Sequence, residues 1–240
     1  MKGFRSLSDN KAHLNAIRER IGDSSEPTSL GVQIFGGAFS IGFEQAGIKV
    51  AGHLEHDTAP LGVYPSRQRW PVAVLNEDGW NRFALDLLNS DLVPDVIHAN
   101  TPCIAYAGTG KHEGTKGDAM CYLRWFVNNV AMVAQPDVWT WELVDGIWSR
   151  DRRWLEAMAF RASRLGYKCT AFLTTSAVHG GFQHRKRFHF IASKFELDFE
   201  GCYTSEPSEQ KGWSPIEVAL DWVERARLAT LTDDDRLSSV

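Results

Sequence analysis

Cysteine is scarce in this chain of 240 residues, and the four present, Cys103, Cys121, Cys169 and Cys202, lie far apart. No Cys-x-x-Cys pair occurs. That spacing argues against a disulfide framework and against a cysteine zinc site, and for a reducing compartment. No metal centre is expected. Long apolar runs are also missing, so no segment qualifies as a bilayer-spanning helix. The opening Met-Lys-Gly-Phe-Arg-Ser-Leu-Ser-Asp-Asn lacks the apolar core of a signal peptide. A cytoplasmic protein without a membrane partner is expected, in a prokaryotic or phage-like setting. Positive charge is not in excess either. The formal net charge is −4, which excludes a globally basic nucleic-acid binder. Contacts to phosphate must come from a local patch such as His184-Arg-Lys-Arg187.

Aromatic residues are plentiful. Nine Trp and 13 Phe can fill a substantial core. Strand-like and helix-like segments alternate along most of the chain. Strands are predicted at Gly31–Phe35, Ile48–Leu54, Val72–Leu75, Asp95–Ala99, Val138–Val144, Lys168–Leu173 and Arg187–Ala192. Helices are predicted at Lys11–Ile21, from the Gly36-Gly37 turn through Ala46, at Trp80–Leu88, Ala119–Val133 and Leu155–Leu165, and at Pro215–Leu228. This alternation implies the α/β class: a doubly wound, mostly parallel sheet covered by helices. Three parts are expected: an N-terminal helix and linker (1–30), a core (31–193) and a short C-terminal segment (194–240).

Four stretches carry chemistry. In Asp95-Val-Ile-His-Ala-Asn-Thr-Pro-Cys103 an apolar run stops at a polar loop that ends in a thiol. The crevice beyond strand C-termini is where open α/β sheets bind ligands. Cys103 is either a nucleophile held there by Pro102 or a small buried hydrophobe. Phe35-Gly-Gly-Ala-Phe-Ser-Ile-Gly42 joins a strand to a helix, and its glycines permit close approach of a cofactor. Glu55 follows about 20 residues later, the distance at which an acid takes ribose hydroxyls; a solvated Glu after a tight turn has the same appearance. Glu142, at the end of an apolar strand, is either a rim carboxylate or an acid of the same crevice. Arg185 and Arg187 alternate into a strand, so both guanidinium groups lie on one face. They form a basic edge or an anchor for phosphate.

Taken in order, these elements resemble the cytosine carbon-5 DNA methyltransferase family. Ile34-Phe-Gly-Gly-Ala-Phe-Ser-Ile-Gly-Phe-Glu-Gln-Ala-Gly47 is similar to the family's cofactor loop and first helix. Thr101-Pro-Cys103 resembles the Pro-Pro-Cys nucleophile loop. Trp141-Glu-Leu-Val144 resembles the Glu-Asn-Val element, and Gly181-Phe-Gln-His-Arg-Lys-Arg187 the Gln-x-Arg-x-Arg element. The resemblance spans residues 31–193.

It implies a Rossmann-like fold and S-adenosylmethionine as cofactor, held by Phe35, Gly36, Gly37, Phe39, Glu55, Asp78 and Pro102. It implies Cys103, Glu142, Arg185 and Arg187 as catalytic residues, and Gln183, Arg185 and Lys186 as contacts to cytosine-containing DNA. The implied reaction adds the Cys103 thiolate to carbon 6 of a cytosine flipped from the duplex, which makes carbon 5 able to attack a methyl group. Glu142 would hold the ring nitrogen and exocyclic amine.

Several positions depart from the family pattern. Gln33 stands near an expected Asp, Thr101 replaces a Pro, Ile104 a Gln and Leu143 an Asn. The segment from Ser193 to Val240 shows neither a target recognition domain nor the closing Gly-Asn motif. A second protein subunit supplying recognition is therefore one expected partner. An RNA or single-stranded acceptor, a different transferred group, and a non-catalytic binding subunit are the alternatives.

Overall fold

The computed structural model describes residues 7–33, 37–56, 69–75, 82, 85–86, 92–103, 105–106, 114, 119–175 and 185–197. The described chain begins with helix α1 (Leu7–Gly22) and strand β1 (Thr28–Val32), followed by α2 (Ala38–Gln45), β2 (Lys49–His56), β3 (Val72–Leu75) and β4 (Val96–Asn100). Helix α3 (Ala119–Trp125) runs into a π-helical stretch, Phe126–Ala131, and a last turn, α4 (Met132–Ala134). Then come β5 (Val138–Val144), α5 (Gly146–Arg150), α6 (Arg152–Arg164), β6 (Lys168–Thr175) and β7 (Lys186–Ser193). The strands form a seven-stranded sheet in the order β3-β2-β1-β4-β5-β7-β6. The pairs β2–β3, β1–β2, β1–β4 and β4–β5 are parallel.

The chain divides into two compact units. The larger holds residues 1–172 and 188–197. The other holds 173–187 and 198–240; its described residues are the ends of β6 and β7 with Arg185, and Arg187 Nη1 there donates to the Lys186 carbonyl at 2.7 Å.

In the larger unit, alternation along the strands sorts side chains onto two faces. One face is apolar. Leu30 is level with Ile97, and Ile97 with Trp139; Val32 is level with Ala99, and Ala99 with Trp141. All six are fully buried, and Ile17 and Ile21 of α1 join them in one core with Leu123, Phe126 and Val130. Phe190 lies against both tryptophans, with ring centroids 5.3 and 5.7 Å away.

The other face is unusually polar. Gly31 of β1 sits between His53 of β2 and His98 of β4, and His98 is level with Thr140. Helix α2 covers this row. Ser40 Oγ lies 2.9 Å from His53 Nε2, and the Phe39 and Phe43 rings lie 3.9 and 6.0 Å from His98. Neither ring nitrogen of His98 has a hydrogen-bond partner among the described residues.

Strand β5 occupies its predicted span, Val138–Val144. The first strand begins three residues before the predicted Gly31–Phe35. Its polar start is accommodated because Thr28 donates to Asp95 Oδ2 from both its backbone N and its hydroxyl, at 2.6 and 3.0 Å. It ends where Gln33 turns to a φ of 56°. The predicted helix Ala119–Val133 widens into a π-helix where Phe126, Val127, Val130 and Ala131 are buried. Of the predicted helix Trp80–Leu88, Arg82, Leu85 and Asp86 are described and helical. The predicted helix Pro215–Leu228 lies outside the described residues. Among the described residues no helix is long and apolar enough to cross a membrane.

The histidine row makes stability depend on pH. Burial pushes His53 down from 6.5 to about 3, and burial together with the charges of His189 and His53 does the same to His98. Each ring stays neutral in the fold and takes a proton in the unfolded chain, so stability is lost as pH falls below 6.5 towards 3. Replacing His98 by Leu should remove about 1.4 kcal/mol per pH unit of this dependence. Urea midpoints measured from pH 7 to pH 5 on both proteins check it; parallel pH curves would show that His98 protonates freely in the fold.

Candidate functional site

In an open α/β sheet the strand order reverses at a switch point, and a crevice opens there beyond the strand C-termini. Here β1 leads outward to β2 and β3 on one side, and β4 leads to β5 on the other. The switch point therefore lies between the ends of β1 and β4. The segments that leave those ends are Gln33 to Gly37 and Thr101 to Cys103.

After β1, Gly37 is buried with a φ of 79° and caps α2. That left-handed conformation suits glycine and would strain any other side chain. Phe35 and Gly36 lie outside the described residues. Gln33 is buried, and its Oε1 has no hydrogen-bond partner among the described residues. Phe39, half-buried on the first turn of α2, sits over His98. An apolar groove of about 420 Å³ runs along the same helix, lined by Ala38, Phe39, Gly42 and Phe43. Glu55, on the polar face two residues past His53, is 1% exposed. A solvated Glu is thus excluded: this carboxylate is held inside the fold. Asp78 lies outside the described residues.

After β4, Thr101 is buried, Pro102 is half-buried and Cys103 is exposed. The reading of Cys103 as a small buried hydrophobe therefore fails. The loop turns directly after the thiol, where the Tyr106 amide donates to the Cys103 carbonyl at 3.0 Å. Tyr106 itself is buried, and its hydroxyl donates to Asp151 Oδ2 at 2.6 Å. Burial first, and then the bond to Asp151, keep that phenol protonated throughout the ordinary pH range. On the far side, Gly146 leaves room for the loop: a Cβ there would lie 2.8 Å from the Tyr106 carbonyl oxygen.

Glu142 is buried near the end of β5, directly opposite Asn100 in the parallel ladder. Asn100 Nδ2 donates to Glu142 Oε2 at 2.8 Å. The structure thus brings Glu142 to the strand that leads into the Cys103 loop. Leu143 is buried on the opposite, apolar face. In the other unit, Arg185 and Lys186 are exposed and Arg187 is half-buried; Arg185 precedes β7 rather than lying within it, and Gln183 is outside the described residues. No group of three or more His, Cys, Asp or Glu among the described residues could hold a metal ion.

Sequence reading missed Asn100, the Tyr106–Asp151 bond and the Ser40–His53 bond. A tyrosine close behind a candidate nucleophile was a usable hint. The other two depend on strand register and helix placement.

Two outcomes follow from this loop. Alkylation at pH 8 should modify Cys103 and Cys121, both exposed, well before Cys169, whose thiol burial pushes up to about 11. Peptide mapping by mass spectrometry reads this, and equal labelling of Cys103 and Cys169 would contradict it. Replacing Tyr106 by Phe should cost about 2 kcal/mol in urea unfolding, the size of a buried hydrogen bond to a carboxylate. A loss below about 0.5 kcal/mol would show that the bond is exchanged for water without penalty.

Comparison with known proteins agrees with this architecture. The description of the C-5 cytosine-specific DNA methylases matches residues 35–228. Type II methyltransferase M.AplI of Arthrospira platensis is 28% identical over 156 residues, which cover 65% of this chain and 42% of that protein. The Entamoeba histolytica methyltransferase EhMeth superposes with a TM-score of 0.57 at 11% identity, over 73% of this chain and 55% of that one. The S. pombe Dnmt2 methyltransferase superposes with a TM-score of 0.52 at 13% identity, over 78% of this chain and 57% of that one. At those identities the likeness is one of fold, and the fold is the Rossmann-like methyltransferase fold. The chain spans about two fifths of the length of M.AplI, 42%. With its match running through most of the sequence, the chain belongs to the C-5 cytosine-specific DNA methylase family.

Proposed function

We propose that this chain is the catalytic core of a DNA cytosine carbon-5 methyltransferase that works through a covalent Cys103 adduct on a flipped base. The observation that carries the reading is the placement of an exposed thiol and a carboxylate on adjoining strands at the switch point: Cys103 follows β4, and Glu142 on β5 is bonded to the last residue of β4.

Carbon 5 of cytosine is a weak nucleophile. Addition of the Cys103 thiolate to carbon 6 makes it enamine-like. Glu142 accepts hydrogen bonds from the exocyclic amine and steadies the ring as charge builds there, which also selects cytosine. Once carbon 5 has taken a methyl group, a base removes the carbon-5 proton, the 5,6 double bond re-forms, and the bond to carbon 6 breaks so that Cys103 leaves as the thiolate. The ring face must be open to the thiol, so the base leaves the stack first. Arg185 and Lys186 offer exposed positive charge to phosphate. Arg187 and Gln183, their neighbours in the sequence, are read as part of the same Gln-x-Arg-x-Arg motif.

S-adenosylmethionine, when bound, supplies an electrophilic methyl group with a neutral leaving group. The residues at the ends of β1 and β2 suit it. Gly37 admits close approach, buried Glu55 offers a carboxylate to ribose hydroxyls, and the buried Gln33 Oε1 offers an acceptor to a further donor. Phe39 and Pro102 offer apolar surface; the family pattern adds Phe35 and Gly36 of the cofactor loop, and Asp78 as an acid for the adenine.

Incubation with labelled S-adenosylmethionine and cytosine-containing DNA should yield 5-methylcytosine. Cys103→Ala should abolish transfer, and Glu142→Gln should lower kcat about 100-fold with little change in cofactor affinity. Nucleoside mass spectrometry reads the product; a heavier modified cytosine, or transfer that survives Cys103→Ala, would sink the reading. Removing both Arg185 and Arg187 should flatten the salt dependence of DNA binding by about 2 in log–log slope. An unchanged slope would rule out phosphate contacts.

A further inference from the structure

Asn100 ends β4, and Glu142 faces it across the β4–β5 ladder. The amide Nδ2 donates to Glu142 Oε2 at 2.8 Å. A carboxylate only accepts, so the NH2 of the amide must be the group turned toward it. Asn100 also lies three residues ahead of Cys103, at the root of the loop that holds the thiol. One hydrogen bond thus ties the carboxylate on one strand to the base of the nucleophile loop on the next. Leu143 cannot take this part, because it is buried on the apolar face and has no polar group.

We propose that Asn100 is a positioning residue, whose amide fixes the Glu142 carboxylate relative to the Cys103 loop so that acid and thiol address one cytosine in a set geometry. This rests on the reading of Glu142 as the base-binding acid and Cys103 as the nucleophile. The physical need is clear. A Glu side chain turns about three bonds and loses considerable rotamer freedom when held. A misplacement of 1 Å between reacting groups lowers a rate by about 100-fold. The bond uses only one of the roughly four lone-pair sites of a carboxylate. The donor also favours the ionised carboxylate, the form that accepts from an exocyclic amine.

Two variants test this. Asn100→Ala removes the donor. It should lower kcat roughly 10- to 100-fold while the KM for S-adenosylmethionine stays within about 3-fold. Asn100→Asp is isosteric, so it keeps the packing and sets a second carboxylate against the first. Its activity relative to the unaltered protein should be lowest at pH 8 and recover in part toward pH 6, where the new carboxyl gains a proton and can donate again. A kcat in Asn100→Ala within about 2-fold of the unaltered protein, or an Asn100→Asp ratio flat across that pH range, would overturn the proposal.

A further arm does not need turnover. In protein carrying carbon-13 at glutamate carboxyls, with Glu142→Gln identifying the resonance, the Glu142 signal should titrate at higher pH once Asn100 is Ala. An unmoved titration overturns the brace whatever the activity. A moved titration in a protein that methylates no cytosine acceptor supports the brace and refutes the reading of the site as a methyl-transfer centre.

Discussion

The parallel register between β4 and β5 sets Asn100 beside Glu142, and the geometry of the candidate site depends on that pairing. Strand side chains alternate with a period of two, so a slip of one residue would carry Glu142 to the opposite face. The opposite face prevents the slip. Trp139, Trp141 and Leu143 alternate with the polar positions of β5 and are buried to 1% exposure or less. The two indole rings pack against Phe126, Phe190 and Phe188. Moving them into water would forfeit roughly 2 kcal/mol or more per side chain. The apolar layer thereby holds the polar one in place, although it takes no part in the chemistry.

The polar face is built differently. Where an apolar row would be usual, β2 and β4 present His53 and His98, with Gly31 between them. Helix α2 meets these rings with one hydroxyl and two phenyl groups. Neutral imidazoles can be buried in this way at modest cost, whereas charged ones cannot. The Ser40–His53 contact and the Phe39–His98 contact fix the first turn of α2, and that turn carries Gly37 at its start. The placement of Gly37 therefore depends on histidines packed against the first turn of α2.

The Cys103 loop is shaped by three features: its own turn at Cys103, the bond from Tyr106 to Asp151, and the space that Gly146 leaves. These supports come from residues behind the thiol and from the starts of α5 and α6. They let Cys103 face solvent while Thr101 and Tyr106, on either side of it, are buried. An exposed thiol on a braced loop suits a nucleophile better than a freely moving one, because little ordering is left for the reacting state.

Sequence alone determined the alternation of strands and helices, the bounds of β5, and the positions of Cys103, Glu55 and Glu142 at strand ends. These are local properties, written in runs of apolar residues and in the polar residues that interrupt them. Sequence misplaced β1, because Thr28 and Ser29 have the composition of a linker, and the carboxylate that accommodates Thr28 is 67 residues away. Only the tertiary structure decided that Glu55 is buried, that Cys103 is exposed, and that an asparagine 42 residues before Glu142 would be its hydrogen-bond donor. Burial and cross-strand pairing depend on which strand lies next to which. Periodicity reports how one strand presents its two faces but carries no information about its neighbour.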